Sequence, residues 1–386
     1  MNDLLLTFYG DDFTGSTDVM ESLQMNGVPT VLFLEPPTPE QLSGRFASMR
    51  AVGVAGVSRS MTPAQMDAEL YPKFRALKAL NAPFVHYKIC STFDSSPTVG
   101  SIGHAIEIGC EVFEPPVVPL VVGAPILRRY VMFGNLFARV GDITYRLDRH
   151  PTMSKHPITP MNEADLRLHL GKQSTRSMGL IDVWHMEEPD AKVDARFARL
   201  IADGVEIVFF DTFGQSHLDH IGRIVWNQRG DKPVFIVGSS GIEYALTGHW
   251  HKTGVVQKPD SVPSCGPVEQ LAVISGSAAP PTAEQIDYAL ARGFTGVRLD
   301  SPRLVDPDQA AAAREEAIGQ ALEVLGRGGS PLLYSAHGPD DDAITRTKAH
   351  MQAIGLDPKA VGSRLGTEQG LILRALLERT TLTRVC

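Results

Sequence analysis

The sequence is poor in three things that would each have pointed to a class of function. It has no apolar stretch near the about twenty residues of a membrane span. The opening MNDLLLTFYGDD is apolar for about half that length and carries Asp3 where an export signal needs positive charge. Neither a membrane partner nor export is expected. Cysteine is scarce: the four, at positions 90, 110, 265 and 386, form no CxxC pair and have no histidine spacing that suits zinc. Reduced thiols in a cytoplasmic protein are the expected state. Basic clusters are missing too, for the net charge is −8 and no Lys/Arg block is long enough to track a phosphate backbone, so nucleic acid is not expected as a partner. The sequence also lacks HExxH, any carboxylate cluster for a tightly held metal, a GxGxxG after a strand, a fixed-period repeat and a low-complexity tract. These absences count against a zinc hydrolase, a dinucleotide-dependent dehydrogenase and a solenoid.

What remains is ordinary for a globular enzyme: 43% hydrophobic and 21% charged residues can build buried cores and are far from the composition of disorder. At 386 residues the chain should divide into two domains. Its recurring pattern is a short apolar run, a turn rich in Gly, Ser or Asp, then an amphipathic helix, which predicts parallel α/β sheets flanked by helices. Strands are expected at LLLTFYG, VPTVLFL, AVGVAGVSRS, FVHYKICS, VPLVVGAP, VEIVFFDT and PVFIVGSSG, and later at LAVISGS, GVRLD, PLLYSAHG and TRVC. Helices are expected over 62–80 and from Thr98, Thr282, Pro307 and Gly366. Residues 124–162 read as an irregular functional loop in which Arg128, Arg129, Asn135, Arg149, His150, Lys155 and His156 crowd among prolines. Residues 257–270, with three prolines and no apolar period, read as the linker between domains 1–256 and 271–386.

In open parallel sheets ligands bind beyond the carboxyl ends of strands, so the turns there carry the chemistry. The first, Asp11-Asp12-Phe13-Thr14-Gly15-Ser16, has adjacent carboxylates where a phosphate loop would have glycine and lysine. It suits a general base for a hydroxyl; a helix N-cap also fits, but needs one carboxylate rather than two. Lys88, with Ser91, Thr92 and Asp94 behind it, could hold a carboxylate by charge and hydroxyls by hydrogen bonds, and Arg59 is of the same kind. A solvated lysine before a Ser/Thr turn would read alike. Gly238-Ser239-Ser240-Gly241, Ser275-Gly276-Ser277 and Gly362-Ser363 with Gly366-Thr367 are small-residue turns able to approach phosphate oxygens, though Thr282 to Gln285 is also a capping box.

Together these motifs resemble the four-carbon acid sugar kinase family along nearly the whole chain. YGDDFTGSTD is similar to that family's D-D-x-T-G signature, Ser58-Arg59 to its S-R pair, Lys88 to Thr92 to its K-x-x-S-T element, VISGSAAPPTAEQI to the start of its nucleotide-binding domain and GSRLGTEQGLILRALLE to its glycine-threonine helix. The resemblance implies an acid-sugar-binding domain over 1–256, a nucleotide-binding domain over 271–386 and an active site in the cleft between them. It implies transfer of the γ-phosphoryl group of ATP, accompanied by Mg²⁺, to a hydroxyl of a small anionic sugar acid. Asp12, and second Asp11, would be the base; Thr14, Arg59, Lys88, Ser91, Thr92, Asp94 and Arg149 would bind the acid; Ser275, Gly276, Ser277, Gly362 and Gly366 would bind the nucleotide; no residue is assigned to a metal. A homo-oligomer is left open. The family commonly continues after Thr92 with leucine, arginine and glycine, whereas this chain has Phe93-Asp94-Ser95-Ser96, which implies a different acid such as 3-oxo-isoapionate. The family also continues past the position of Cys386 into a glycine-rich turn, so the nucleotide domain is expected to be truncated, with a sugar-acid-binding protein devoid of phosphotransfer as the alternative.

Overall fold

The computed structural model describes residues 3–156, 158–261 and 266–386, with the side chain of Lys359 left out. The chain divides into two compact units, Met1–Val262 and Pro263–Cys386. Cys265 and part of the expected linker lie outside the described residues.

The first unit contains β1 (Leu6–Gly10), β2 (Thr30–Phe33), β3 (Ala51–Ala55), β4 (Phe84–Lys88) and β5 (Val118–Val121), then β6 (Arg129–Met132), β7 (Asn135–Val140) and β8 (Ile143–Arg146), and finally β9 (Met178–Ile181), β10 (Ile207–Phe210) and β11 (Val234–Gly238). Eight of these form one parallel sheet in the order β2-β3-β1-β4-β11-β5-β10-β9. Its central strands are buried along their whole length, which explains why LTFYG, AVGVA, FVHYK and VFIVG read as continuous apolar runs rather than alternating ones: both faces of the sheet are covered. On one face Tyr9, Val85, Tyr87 and Phe235 pack with Phe74 and Phe113 from the helices Pro63–Ala79 and Ile102–Phe113. On the other, Leu6, Phe8, Phe84 and Ile236 pack with Val19 and Trp250 from the helices Phe13–Met25 and Gly241–Thr253.

The order places the site. From β1 the chain steps outward to one side through β2 and β3, then returns to lay β4 on β1's other side. That reversal is a topological switch point, where the loops leaving adjacent strand ends diverge and leave a crevice.

Two expectations need correction here. The region 124–162 is not irregular: β6, β7 and β8 form an antiparallel three-stranded sheet, and β9 was missed altogether. Short two-sided strands with intermediate burial carry little periodicity, and the basic residues hid what alternation there was. This small sheet is tied to the main one through Asp211, just after β10. The buried Asp211 carboxylate accepts from the N–H groups of Phe133, Gly134 (2.9 Å) and Val183 (2.9 Å).

The second unit holds β12 (Val273–Ser275), β13 (Phe294–Arg298) and β14 (Ser330–Tyr334) as a parallel sheet in the order β12-β14-β13. Val297, Leu333, Ile318, Ile372 and Leu376 form its core with the helices Ala310–Gly326 and Val361–Arg379. The expected TRVC strand is only a bridge, Val385 beside Ala272, with Cys386 exchanging backbone hydrogen bonds with Ala272 and Ile274. The helix expected from Thr282 begins at Pro280, so Thr282 lies in its first turn and does not cap it. Among the described residues no helix is long and apolar enough to cross a membrane.

Candidate functional site

Three neighbouring strands deliver the polar residues of the switch point. Asp11 and Asp12 follow β1. Arg59 lies in the 3-10 turn Ser58–Ser60 after β3, and Lys88 ends β4. Backbone hydrogen bonds lock these turns together: Asp11 N–H donates to the Lys88 carbonyl at 2.9 Å and Arg59 N–H to the Asp11 carbonyl at 3.0 Å.

Asp12 caps the helix Phe13–Met25 by accepting from Gly15 N–H at 2.7 Å. Its second function is electrostatic. Arg59 donates from Nε and Nη2 to Asp11 (3.0 and 2.6 Å) and from Nη1 and Nη2 to Asp12 (both 2.9 Å), which engages four of the guanidinium's five N–H groups. Arg59 was expected on the substrate carboxylate; as placed, it braces the aspartate pair instead. Burial lifts the Asp11 carboxyl to about 6, against the opposing pull of Arg59. Asp12 is more open, with 29% of its side chain exposed against 5% for Asp11.

Lys88 is buried, donates to the Ile89 carbonyl at 3.1 Å and pairs with Asp18 at 3.3 Å. Asp12 Oδ1, Lys88 Nζ and Arg59 Nη2 converge on Gly15, where an added Cβ would lie 2.5, 3.2 and 3.7 Å from them. A side chain at position 15 would have to push the ends of these side chains aside, Asp12 Oδ1 first. Thr14 is exposed beside it.

The turn after β4 is built from its own side chains. Thr92 donates to Asp94 at 2.5 Å, and both are buried. Phe93 sits at φ +58°, a costly conformation for a bulky residue, held by packing against His169 and Phe209. His169 hydrogen-bonds Ser95 at 3.1 Å, and Ser91 is half-buried. Arg149, an expected acid ligand, is exposed at the end of the 3-10 turn Leu147–Arg149. Its neighbour His150 is buried, and so in part is Arg129; the sequence had them only as members of a basic crowd. Their burial separates them from the exposed Arg128 and Arg149, and for Arg129 it follows from strand register rather than residue type.

Gly238 to Gly241 was grouped with the nucleotide turns, but β11 lies beside β4, so this turn belongs to the first unit's sheet. There Ser239 donates to the Val122 carbonyl at 2.7 Å and accepts from Gly241 N–H at 3.1 Å.

In the second unit, Ser275-Gly276-Ser277 and the helix Val361–Arg379 come together. Gln369 of that helix donates to the Ser275 carbonyl at 3.2 Å, and its Oε1 lies 2.7 Å from where a Cβ on Gly276 would be. Gly362 and Gly366 are not in turns: both are exposed within the first two turns of this 19-residue helix. The helix is long and anchored by buried Ile372 and Leu376, so it absorbs a glycine cost of about 1 kcal/mol each. The helix after Ser277 opens with Pro280 and Pro281, which have no N–H, so it presents fewer donors to a phosphate than the sequence pattern suggested. The turn itself remains, with Ser277 Oγ accepting from Ala279 N–H at 3.2 Å.

Two family models match this arrangement: a sugar-binding N-terminal domain over residues 6–246 and a nucleotide-binding C-terminal domain over 272–386. The chain belongs to the four-carbon acid sugar kinase family. A 3-oxo-isoapionate kinase from Paraburkholderia graminis is 49% identical over 382 residues, covering 99% of this chain and 80% of the relative. A 3-oxo-tetronate kinase from Methylobacterium radiotolerans is 31% identical, covering 97% and 83%. A solved structure from Salmonella typhimurium shares the fold with a TM-score of 0.76 at 24% identity, over 97% of this chain and 82% of that one. The expectation of a missing C-terminal nucleotide segment is not borne out, because the match to the family's nucleotide-binding domain runs to residue 386. For the same reason the reading as a binding protein without phosphotransfer is not favoured.

Proposed function

We propose that this protein is an ATP-dependent kinase that phosphorylates a hydroxyl of a small sugar acid, with 3-oxo-isoapionate as the first substrate to test and 3-oxo-tetronate as the second. The observation that carries the reading is the 49% identity to a 3-oxo-isoapionate kinase across 99% of the chain, joined to a complete Asp11-Asp12-Arg59-Lys88 cluster at the switch point.

In this reading Asp12 takes the proton of the attacking hydroxyl. Oδ1 is occupied by Gly15 and Arg59, whereas among the described residues Oδ2 accepts only from Arg59 and retains a lone pair on the more open carboxylate. Asp11 fixes Arg59, and Arg59 fixes the orientation of Asp12. Lys88, Thr14, Ser91 and the Thr92–Asp94 pair line the place where the acid's hydroxyls would lie. Phosphoryl transfer asks chiefly for alignment and charge neutralisation, and a carboxylate positioned on the nucleophile suits it.

ATP would be held at Ser275, Gly276 and Ser277, with the Gly362 and Gly366 face of the helix beside them, and would supply the γ-phosphoryl group together with Mg²⁺. Among the described residues no group of three or more His, Cys, Asp or Glu could hold a metal. The ion would be carried chiefly by substrate phosphates and water. A supply of ATP and the unpaired state of Cys90, Cys110 and Cys386 both favour a cytoplasmic setting. The test is ADP release with Mg-ATP and a panel of four- and five-carbon sugar acids. Turnover on none of them, with ATP hydrolysis no faster than without acid, would remove the kinase reading.

A further inference from the structure

The charges around Asp12 leave no room for the substrate's own carboxylate. Two cations, Arg59 and Lys88, face three carboxylates, Asp11, Asp12 and Asp18, so that cluster is already net negative. An anion needs donors elsewhere.

Such donors lie on the small antiparallel sheet. Arg129 opens β6 and pairs in register with Ala138, whose side chain is fully buried. Side chains two apart on a strand share a face, so Arg129 lies on the side of Val131. Val131, Leu136 and Ala138 belong to the same packed cluster as Ile89 and Phe93, which flank the Cys90–Thr92 turn. An arginine therefore projects from the inner face of this sheet toward the turn after β4. Two carbonyls hold its Nη1, Leu127 at 3.0 Å and Arg128 at 3.3 Å. Its Nε is buried with no acceptor, and among the described residues no carboxylate lies within 4 Å of the guanidinium. Cys90 lies within electrostatic reach of the guanidinium, and the positive charge of Arg129 is felt at His150.

His150 is 5% exposed, and its Nδ1 accepts from the N–H groups of Thr152 (3.2 Å) and Met153 (3.1 Å). Accepting there requires a bare Nδ1, so the proton sits on Nε2, which meets no acceptor among the described residues. Burial and the Arg129 charge both keep the ring neutral. The result is a guanidinium whose Nε is buried without an acceptor, which is costly in a folded protein unless a ligand completes it, together with an imidazole N–H on His150 that none of the described protein groups takes up.

We propose that Arg129 and His150 form the subsite for the carboxylate of the acid. The assignment rests on the sugar-acid kinase reading and changes one part of it: Arg59 orders the catalytic carboxylates, and Arg129 recognises the acid.

Calorimetric titration without nucleotide tests this apart from turnover, using 3-oxo-isoapionate and 3-oxo-tetronate as probes. Arg129→Met should raise the Kd of the acid by about 30-fold or more, as expected when one partner of a charge-assisted pair is removed. ATP affinity should be unchanged, and Arg128→Met, on the exposed neighbour, should bind acid like the wild type. His150→Gln retains an N–H donor and should cost about threefold, against about tenfold for His150→Leu. Should Arg129→Met melt well below the wild type, Arg129→Lys keeps the charge without the planar fork and should still raise Kd by about tenfold. An acid Kd unaltered in these Arg129 variants would overturn the subsite even if the wild type is an active kinase. Failure of the wild type to bind either acid would overturn it as well, whereas tight binding lost in Arg129→Met but without any ADP release would uphold the subsite and defeat the kinase reading.

Discussion

A carboxylate that caps a helix and also grips a guanidinium has few lone pairs left, and Asp12 is such a group. Asparagine would still accept from Gly15 N–H through its carbonyl oxygen, so the cap should survive while the base is lost. Asp12→Asn is expected to lower kcat by about 10²- to 10⁴-fold with the acid's Kd within a few-fold of wild type. Unchanged turnover would dismiss Asp12 as the base. Gly15 offers a sharper test of the packing. Alanine in a helix usually gains up to about 1 kcal/mol over glycine. Here its Cβ would press on Asp12 Oδ1 and Lys88 Nζ at 2.5 and 3.2 Å, breaking a cap worth about 1 kcal/mol and displacing a buried cation. Gly15→Ala should lower Tm and abolish most activity; a raised Tm would show that the cluster yields more easily than its geometry indicates.

At the scale of elements, the turn after β4 and the small antiparallel sheet depend on buried polar groups that respond to pH. His169, 5% exposed and bonded to Ser95, has its pKa pushed down to about 4, chiefly by burial. A folded pKa below the unfolded value of about 6.5 means that the unfolded chain takes up protons first as pH falls. The stability tied to a neutral His169 is thus present above about pH 6.5 and is lost on the way down to about 4, by roughly 2 kcal/mol between pH 7 and 5. Asp11 acts with the opposite sign: with its pKa raised to about 6, the folded state binds the proton more tightly, and stability drops as pH rises through the interval from about 4 to 6. The difference between proteins isolates the histidine. Wild type should lose more stability than His169→Gln from pH 7 to pH 5 in denaturant titrations. Equal losses would mean that His169 is not held neutral by the fold.

At the scale of the molecule, the first unit surrounds an eight-stranded parallel sheet and the second a three-stranded one, each with its own core. A ligand that binds only folded protein stabilises it by mass action. The accepted acid at 100 times its Kd should raise the unfolding free energy by about 2.7 kcal/mol, and Mg-ATP should do the same independently of Arg129. A thermal-shift series in which no sugar acid moves Tm would contradict the assignment of the first unit to acid binding.

The sequence by itself determined the strands of the switch point, the acidic turn after β1, the lysine after β4 and the membership of the chain in its family. Those features are local: an apolar run, a cap and a short motif are written in adjacent residues, and their physics needs no distant partner. It misplaced what depends on register and on long-range pairing. Arg59 and Lys88 looked like free cations because Asp11, Asp12 and Asp18 reach them only across strands. Gly362 and Gly366 looked like a turn because the buried anchors of their helix lie ten residues onward in each case, at Ile372 and Leu376. Arg129 and Arg149 looked alike, and only the pairing of β6 with β7 decided that the first faces inward, whereas the second is exposed at the end of the 3-10 turn Leu147–Arg149. A charge is read from the chain, but whether it is answered depends on which strands lie side by side, and that is settled when the sheet closes over its core.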